Sequence, residues 1–188
     1  MQSNRLLIAA ISLATFTAVP WIPFIATARA APSPPDSPAF REFAQRVQQY
    51  VKLRKAPQRT TRHREEIVDR RDALAQAIRE SRPDAKQGDI FTPEVSEEFR
   101  RVIQSVFQGP SASSVRRTIR QGDPVAGLRL TVNGAYPQHL PLTTVPPTLL
   151  SRLPELPERM AYRIVGHDFV LQDTEARLVI DFIPGVIP

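Results

Sequence analysis

Residues 160–183 read MAYRIVGHDFVLQDTEARLVIDFI, and this stretch decides the fold. Three β-rich runs, 160–165, 169–172 and 177–182, are separated only by Gly166-His167-Asp168 and by Asp173-Thr174-Glu175-Ala176. Connections this short join antiparallel neighbours, so the expected product is a three-stranded meander. A meander with apolar faces needs a cover, and the cover has to come from elsewhere in the chain.

Working back from residue 160, prolines 141, 146, 147, 154 and 157 enforce irregular backbone, with room for one short helix at 148–153. Before them, Leu128, Leu130 and Val132 alternate with polar residues and run into Asn133-Gly134, a favoured tight-turn pair. Upstream of Gly122 the apolar period changes from two to three and four. Thr92-Pro93-Glu94 is a helix start, and Val95, Phe99, Val102, Ile103, Val106 and Phe107 form one face of a helix that ends before Gly109-Pro110. A further short helix is expected at 113–121. Ser37 reads as a cap with Pro38 at the first helical position, and Phe40, Phe43, Val47, Tyr50 and Val51 make the stripe of a helix reaching about residue 55. Between these, 64–82 reads as a helix with a narrower stripe, Ile67, Leu74, Ala77 and Ile78. The fold class is therefore α+β: three to four amphipathic helices over 38–121, then Pro-rich loops and a small antiparallel sheet over 122–188, in a single domain.

Residues 1–30 follow the plan of a secretory signal peptide, with Arg5, an uncharged stretch from Leu6 and Ala28-Arg29-Ala30 as a small-x-small cleavage site. The uncharged run extends to Ala28, and about 20 apolar residues cross a bilayer, so an N-terminal membrane anchor is the alternative. Residues 31–37 are a Pro-rich linker. The chain is thus expected to be exported to the periplasm or the extracellular space, or held at the inner membrane. It contains no cysteine, which excludes disulfides, thiol nucleophiles, thiolate zinc sites and iron–sulfur clusters.

Candidate chemistry is sparse. The three histidines, 63, 139 and 167, lie in three different elements and lack paired metal-ligand spacing, so neither a metal site nor a cofactor is expected. Neither Gly-x-Ser-x-Gly nor Ser-x-x-Lys occurs. His167 and Asp168 form the one adjacent pairing of a histidine with a carboxylate, in an expected hairpin turn. Asp181 places a carboxylate inside an apolar strand, where it is expected to face water. These three are the candidate acids or bases if the chain is an enzyme of an unrecognised class. Lys86 to Ile90 is read as the turn that positions the following helix, with Gly88 supplying a positive φ.

Charge is unevenly spread. Residues 31–120 carry 18 basic against 12 acidic side chains, whereas 121–188 carry 5 against 7. The densest basic stretch holds Lys52, Arg54, Lys55, Arg59, Arg62 and Arg64 with no acid among them. Such a cluster attracts anionic surfaces, and in an exported protein these are lipid headgroups, lipopolysaccharide or wall polymer, or another envelope protein, and not nucleic acid. The alternative is a solvated loop whose charges pair partly with Glu65, Glu66 and Asp69.

The segments 86–94 (KQGDIFTPE), 132–137 (VNGAYP) and 162–173 (YRIVGHDFVLQD) together resemble a group of uncharacterised exported bacterial proteins. That resemblance carries over no catalytic residue. Residues 163–180 are similar to the terminal hairpin of small periplasmic proteins of nickel and cobalt homeostasis, which implies a modulating role and not an enzyme. Taken together, these readings favour a non-enzymatic binding or scaffolding domain.

Overall fold

The computed structural model describes residues 37–54, 64–120, 129–136 and 143–188. The expected signal or anchor over 1–30 and the linker up to residue 36 lie outside the described residues. Among those described, no helix is long and apolar enough to cross a membrane.

The described residues form five helices and four strands in the order α1 (Pro38–Leu53), α2 (Arg64–Ser81), α3 (Pro93–Gln108), α4 (Ala112–Arg120), β1 (Thr143–Thr144), α5 (Pro147–Leu150), β2 (Met160–Val165), β3 (Asp168–Asp173) and β4 (Leu178–Ile183). The fold is α+β, helices first and an antiparallel sheet last, as the sequence pattern implies. Helix α1 begins where Ser37 accepts a hydrogen bond from the Phe40 N–H at 3.2 Å and Pro38 pre-sets the first turn. Ser37→Ala is expected to lower stability by about 1 kcal/mol, read from urea unfolding followed by circular dichroism. The α1 stripe of Phe40, Phe43, Val47 and Tyr50 is buried. Helix α3 starts with Thr92 as cap and buries Val95, Phe99, Val102, Ile103, Val106 and Phe107.

The two helices meet the sheet through aromatic rings. Phe99 stacks edge-on to Phe40 at 5.2 Å and Phe91 at 5.1 Å, and lies 5.8 Å from Phe169 of β3. Phe43 and Tyr162 complete the cluster, 6.2 Å apart. Offset and edge-to-face contacts of this kind add to simple area burial. The opposite face of the sheet is covered too, for Val165, Val170 and Val179 form a second buried cluster with Tyr136, Leu130 and Phe182.

The sheet order is β1-β2-β3-β4, antiparallel throughout. Two features differ from expectation. First, Thr143 and Thr144 add a short strand that pairs with Ile164 and Arg163, making the meander four-stranded. Its signal is hidden in the sequence because two residues cannot display a period. Second, residues 129–132 form no strand; instead the Asn133-Gly134 turn and the residues after it line the free edge of β4. The Asn133 and Tyr136 N–H groups donate to Val179 O (2.9 Å) and Arg177 O (2.7 Å), and the Val179 N–H donates to Gly134 O (3.0 Å). An open edge is thereby satisfied. Helix α2 is held to this turn by Arg79 Nε, which donates to Asn133 O at 3.1 Å.

Strand β4 carries a bulge. Asp181 lies opposite Leu171 and Val179 opposite Gln172, so Ile180 is an extra residue with no cross-strand partner. A bulge turns two successive side chains toward one face. Here Ile180 joins the helix-covered core, and Asp181 follows it inward.

Candidate functional site

Asp181 is fully buried, which corrects the expectation that it faces water. Without the bulge, alternation along β4 would send it to the opposite face, that of Val179; with the bulge it points under the loop before α3. There its carboxylate accepts four backbone N–H groups, from Gly88 (3.0 Å) and Phe182 (2.8 Å) on Oδ1 and from Ile90 and Phe91 (both 2.8 Å) on Oδ2. Gly88 has φ +92°, the left-handed conformation its turn requires. Burial pushes the Asp181 carboxyl above its ordinary range, and the four N–H donors pull it partly back. With both oxygens bonded to backbone N–H groups, three of them from this loop, Asp181 anchors the turn.

His167 and Asp168 sit at the β2–β3 turn, and each bonds to backbone through one of its polar atoms. The His167 ring Nδ1 lies 2.7 Å from Ile187 O. A carbonyl only accepts, so that nitrogen carries the proton. Asp168 Oδ1 accepts the Gly185 N–H at 2.9 Å. The Ile187 N–H donates back to His167 O at 3.0 Å, so the C-terminal residues are stitched onto this turn. His167, Asp168 and Asp181 therefore do not converge: each has its own backbone partners, and neither of the two arginine-lined clefts described below is lined by any of them.

Of the expected basic surface, Lys52 is exposed. Lys55, Arg59 and Arg62 lie outside the described residues, as does the side chain of Arg64. Arg54 is not a free surface charge. Its Nε donates to Asp173 Oδ2 at 2.6 Å and its Nη2 pairs with Glu175, with only 14% of the side chain exposed. Asp173 is itself buried and also accepts the Tyr50 hydroxyl (3.0 Å) and the N–H groups of Glu175 (3.0 Å) and Ala176 (2.8 Å). This closes the β3–β4 turn through a side chain, as Asp does in an Asx turn. Burial, and after it the Asp173 carboxylate, hold the Tyr50 hydroxyl far above its ordinary pKa.

The turn so built points arginines into a cleft. Arg70 and Arg71 from α2, Arg159 before β2 and Arg177 before β4 line a cavity of about 330 Å³ with Thr174 and Glu175. Among the described residues, Glu175 is the one acid in that lining. Its Oε1 faces Arg159 at 3.3 Å and Arg70 at 3.8 Å, while Oε2 is held by Arg54. No carboxylate among the described residues pairs with Arg71 or Arg177. Arg159 and Arg177 also have positive φ, +66° and +54°. A side chain in that region costs roughly 1–2 kcal/mol, and glycine would avoid the cost. Strained residues of this kind gather at binding sites, where surrounding structure imposes them.

Sequence reasoning passes over these four arginines because they are scattered, between 70 and 177, and none belongs to a dense run. The one local sign, arginine at two positions that favour glycine, shows only once the backbone is known. Compared with protein-family models, with curated proteins and with solved structures, the chain matches none.

Proposed function

We propose that this chain is an exported, non-enzymatic binding domain whose partner is an anionic component of the cell envelope: lipid headgroup, lipopolysaccharide or wall polymer. The observation that carries the reading is the convergence of Arg70, Arg71, Arg159 and Arg177 on one open cleft, with Glu175 as its single acid among the described residues. Guanidinium groups are weakly hydrated planar donors that match oxyanions two bonds at a time, and an unbalanced set of them is an attractor for anionic polymers and headgroups. The leader-like residues 1–30 put such partners within reach. His167, Asp168 and Asp181 bond to separate backbone groups and do not converge on one point, which supports binding over catalysis.

The test is co-sedimentation of the full chain with vesicles containing anionic lipid, and with purified wall material, across a salt series. Neutral vesicles serve as the control for insertion of the leader. Binding to the anionic surfaces is expected to weaken as salt rises, and Arg71→Ala with Arg177→Ala to lower it by about 2 kcal/mol, roughly thirtyfold. Equal binding to neutral and anionic surfaces, or binding indifferent to salt, overturns the proposal.

A further inference from the structure

The cleft holds its own clue to what it takes. The Glu175 carboxylate sits among three guanidinium groups, but they are not equivalent. Arg54 is 14% exposed and locked to Asp173, so its hold on Oε2 is part of the fold. Arg70 and Arg159, on Oε1, have side chains 41% and 57% exposed, at 3.8 and 3.3 Å. Long, exposed pairs contribute little and exchange readily. Next to them stand Arg71 and Arg177, which pair with no carboxylate among the described residues.

We infer that the cleft is an oxyanion site in which Glu175 is a built-in occupant: an incoming phosphate or carboxylate takes Arg70 and Arg159 from Glu175 Oε1 and is completed by Arg71, Arg177 and the Thr174 hydroxyl. This rests on the reading of the domain as an anion binder and deepens it. Glu175 keeps Arg54, so the β3–β4 turn stays closed while the outer arginines change partner. Its remaining negative charge sets a threshold, which favours a multiply charged or bidentate oxyanion over a halide. A second hollow of about 430 Å³ shares Arg71 and Arg177 and runs beside Ala75, Ala135 and Ala176. Asp72 and Arg79 also line it and offset each other in charge, and Arg79 is already bonded to Asn133 O. The ligand class is accordingly an oxyanion head with a slim, uncharged chain behind it.

Isothermal titration of the full chain at low salt, with inorganic phosphate, glycerol phosphate and succinate, tests this. Glycerol phosphate is expected to bind more tightly than inorganic phosphate, since its chain enters the second hollow. Comparison with succinate tells phosphoryl from carboxylate sources. Arg177→Gly keeps a residue suited to the +54° φ and removes the guanidinium. It is expected to melt no lower than the parent chain yet to bind about tenfold more weakly. Glu175→Gln removes the competing charge and is expected to bind several-fold more tightly. Absence of binding by all three anions, or unchanged affinity in Arg177→Gly, overturns the site. Weaker binding in Glu175→Gln overturns the exchange, and a melting curve for that variant shows whether the turn has survived. The outcomes are separable from the broader proposal. If vesicles bind but none of the soluble anions does, the site fails and the envelope reading stands. If soluble anions bind without vesicles or wall material, the reverse holds.

Discussion

Replacing Asp181 by alanine is expected to lower the unfolding free energy by about 4 kcal/mol, one of the two largest effects expected of a single polar change among the described residues. The reason is a count of donors. Four backbone N–H groups, from Gly88, Ile90, Phe91 and Phe182, end on this carboxylate in a buried setting, and alanine gives them nothing. An unsatisfied buried donor costs about 1–3 kcal/mol, and relaxation of the 86–91 loop recovers part of the total. Asp181→Asn is expected to lose about half as much, because its amide oxygen accepts on one side while its NH₂ faces donors on the other. Urea unfolding of each variant checks both figures.

The same group should leave a mark on pH dependence. Burial raises the Asp181 carboxyl in the folded state from 3.8, so the native protein keeps this proton at a pH where the unfolded chain has released it. The native state then binds more protons, and stability from this group declines as pH rises. Its contribution is full below pH 3.8 and is lost as pH passes through the raised folded value. Subtracting the Asp181→Asn profile from that of the parent chain should isolate a downward slope starting near about pH 4; an upward slope there would mean that the N–H donors outweigh burial.

Asp173→Ala is expected to cost a similar amount, about 3–5 kcal/mol, by another route. Here the loss is of a charge opposite Arg54, whose side chain is only 14% exposed and would be left beside the Tyr50 hydroxyl without its 2.6 Å partner. The β3–β4 turn would also lose both N–H bonds to Asp173 Oδ1. Asp173→Asn keeps an acceptor for the turn and drops only the charge, so it should cost distinctly less. The two alanine substitutions also differ in consequence for the cleft. Losing Asp173 frees Arg54 and with it Glu175, so anion affinity should change along with stability. Losing Asp181 acts on the loop before α3 and should leave anion affinity as it was. Titration of both variants with glycerol phosphate, at a temperature where each is folded, separates these effects.

Particular residues show where sequence reading succeeds and where it stops. The Ser37-Pro38 and Thr92-Pro93 helix starts are legible because capping is local: a side chain meets an N–H three residues away. The apolar faces of α1 and α3 are legible for the same reason, since 3.6-residue periodicity is a property of the segment itself. Residues 160–183 announce a meander because two short connections leave antiparallel pairing as the one economical arrangement. The inward direction of Asp181 is not legible, because it depends on register. One unpaired residue, Ile180, reverses the facing of the side chains after it, and nothing in the local alternation reveals the bulge. Nor is the burial of Arg54 legible, because its partners lie 119 and 121 residues away.

By itself, then, the sequence determined the main helices and the three longer strands, their order, the α+β class and the exclusion of thiol chemistry, all of which arise from short-range sterics, hydrogen bonding and composition. Tertiary structure alone decided which charges meet. It buried Asp181 beneath the loop before α3, committed Arg54 to the β3–β4 turn, and drew Arg70, Arg71, Arg159 and Arg177 to one cleft. Those outcomes depend on strand register and on contacts between residues far apart in the chain, where no periodic signal exists to be read.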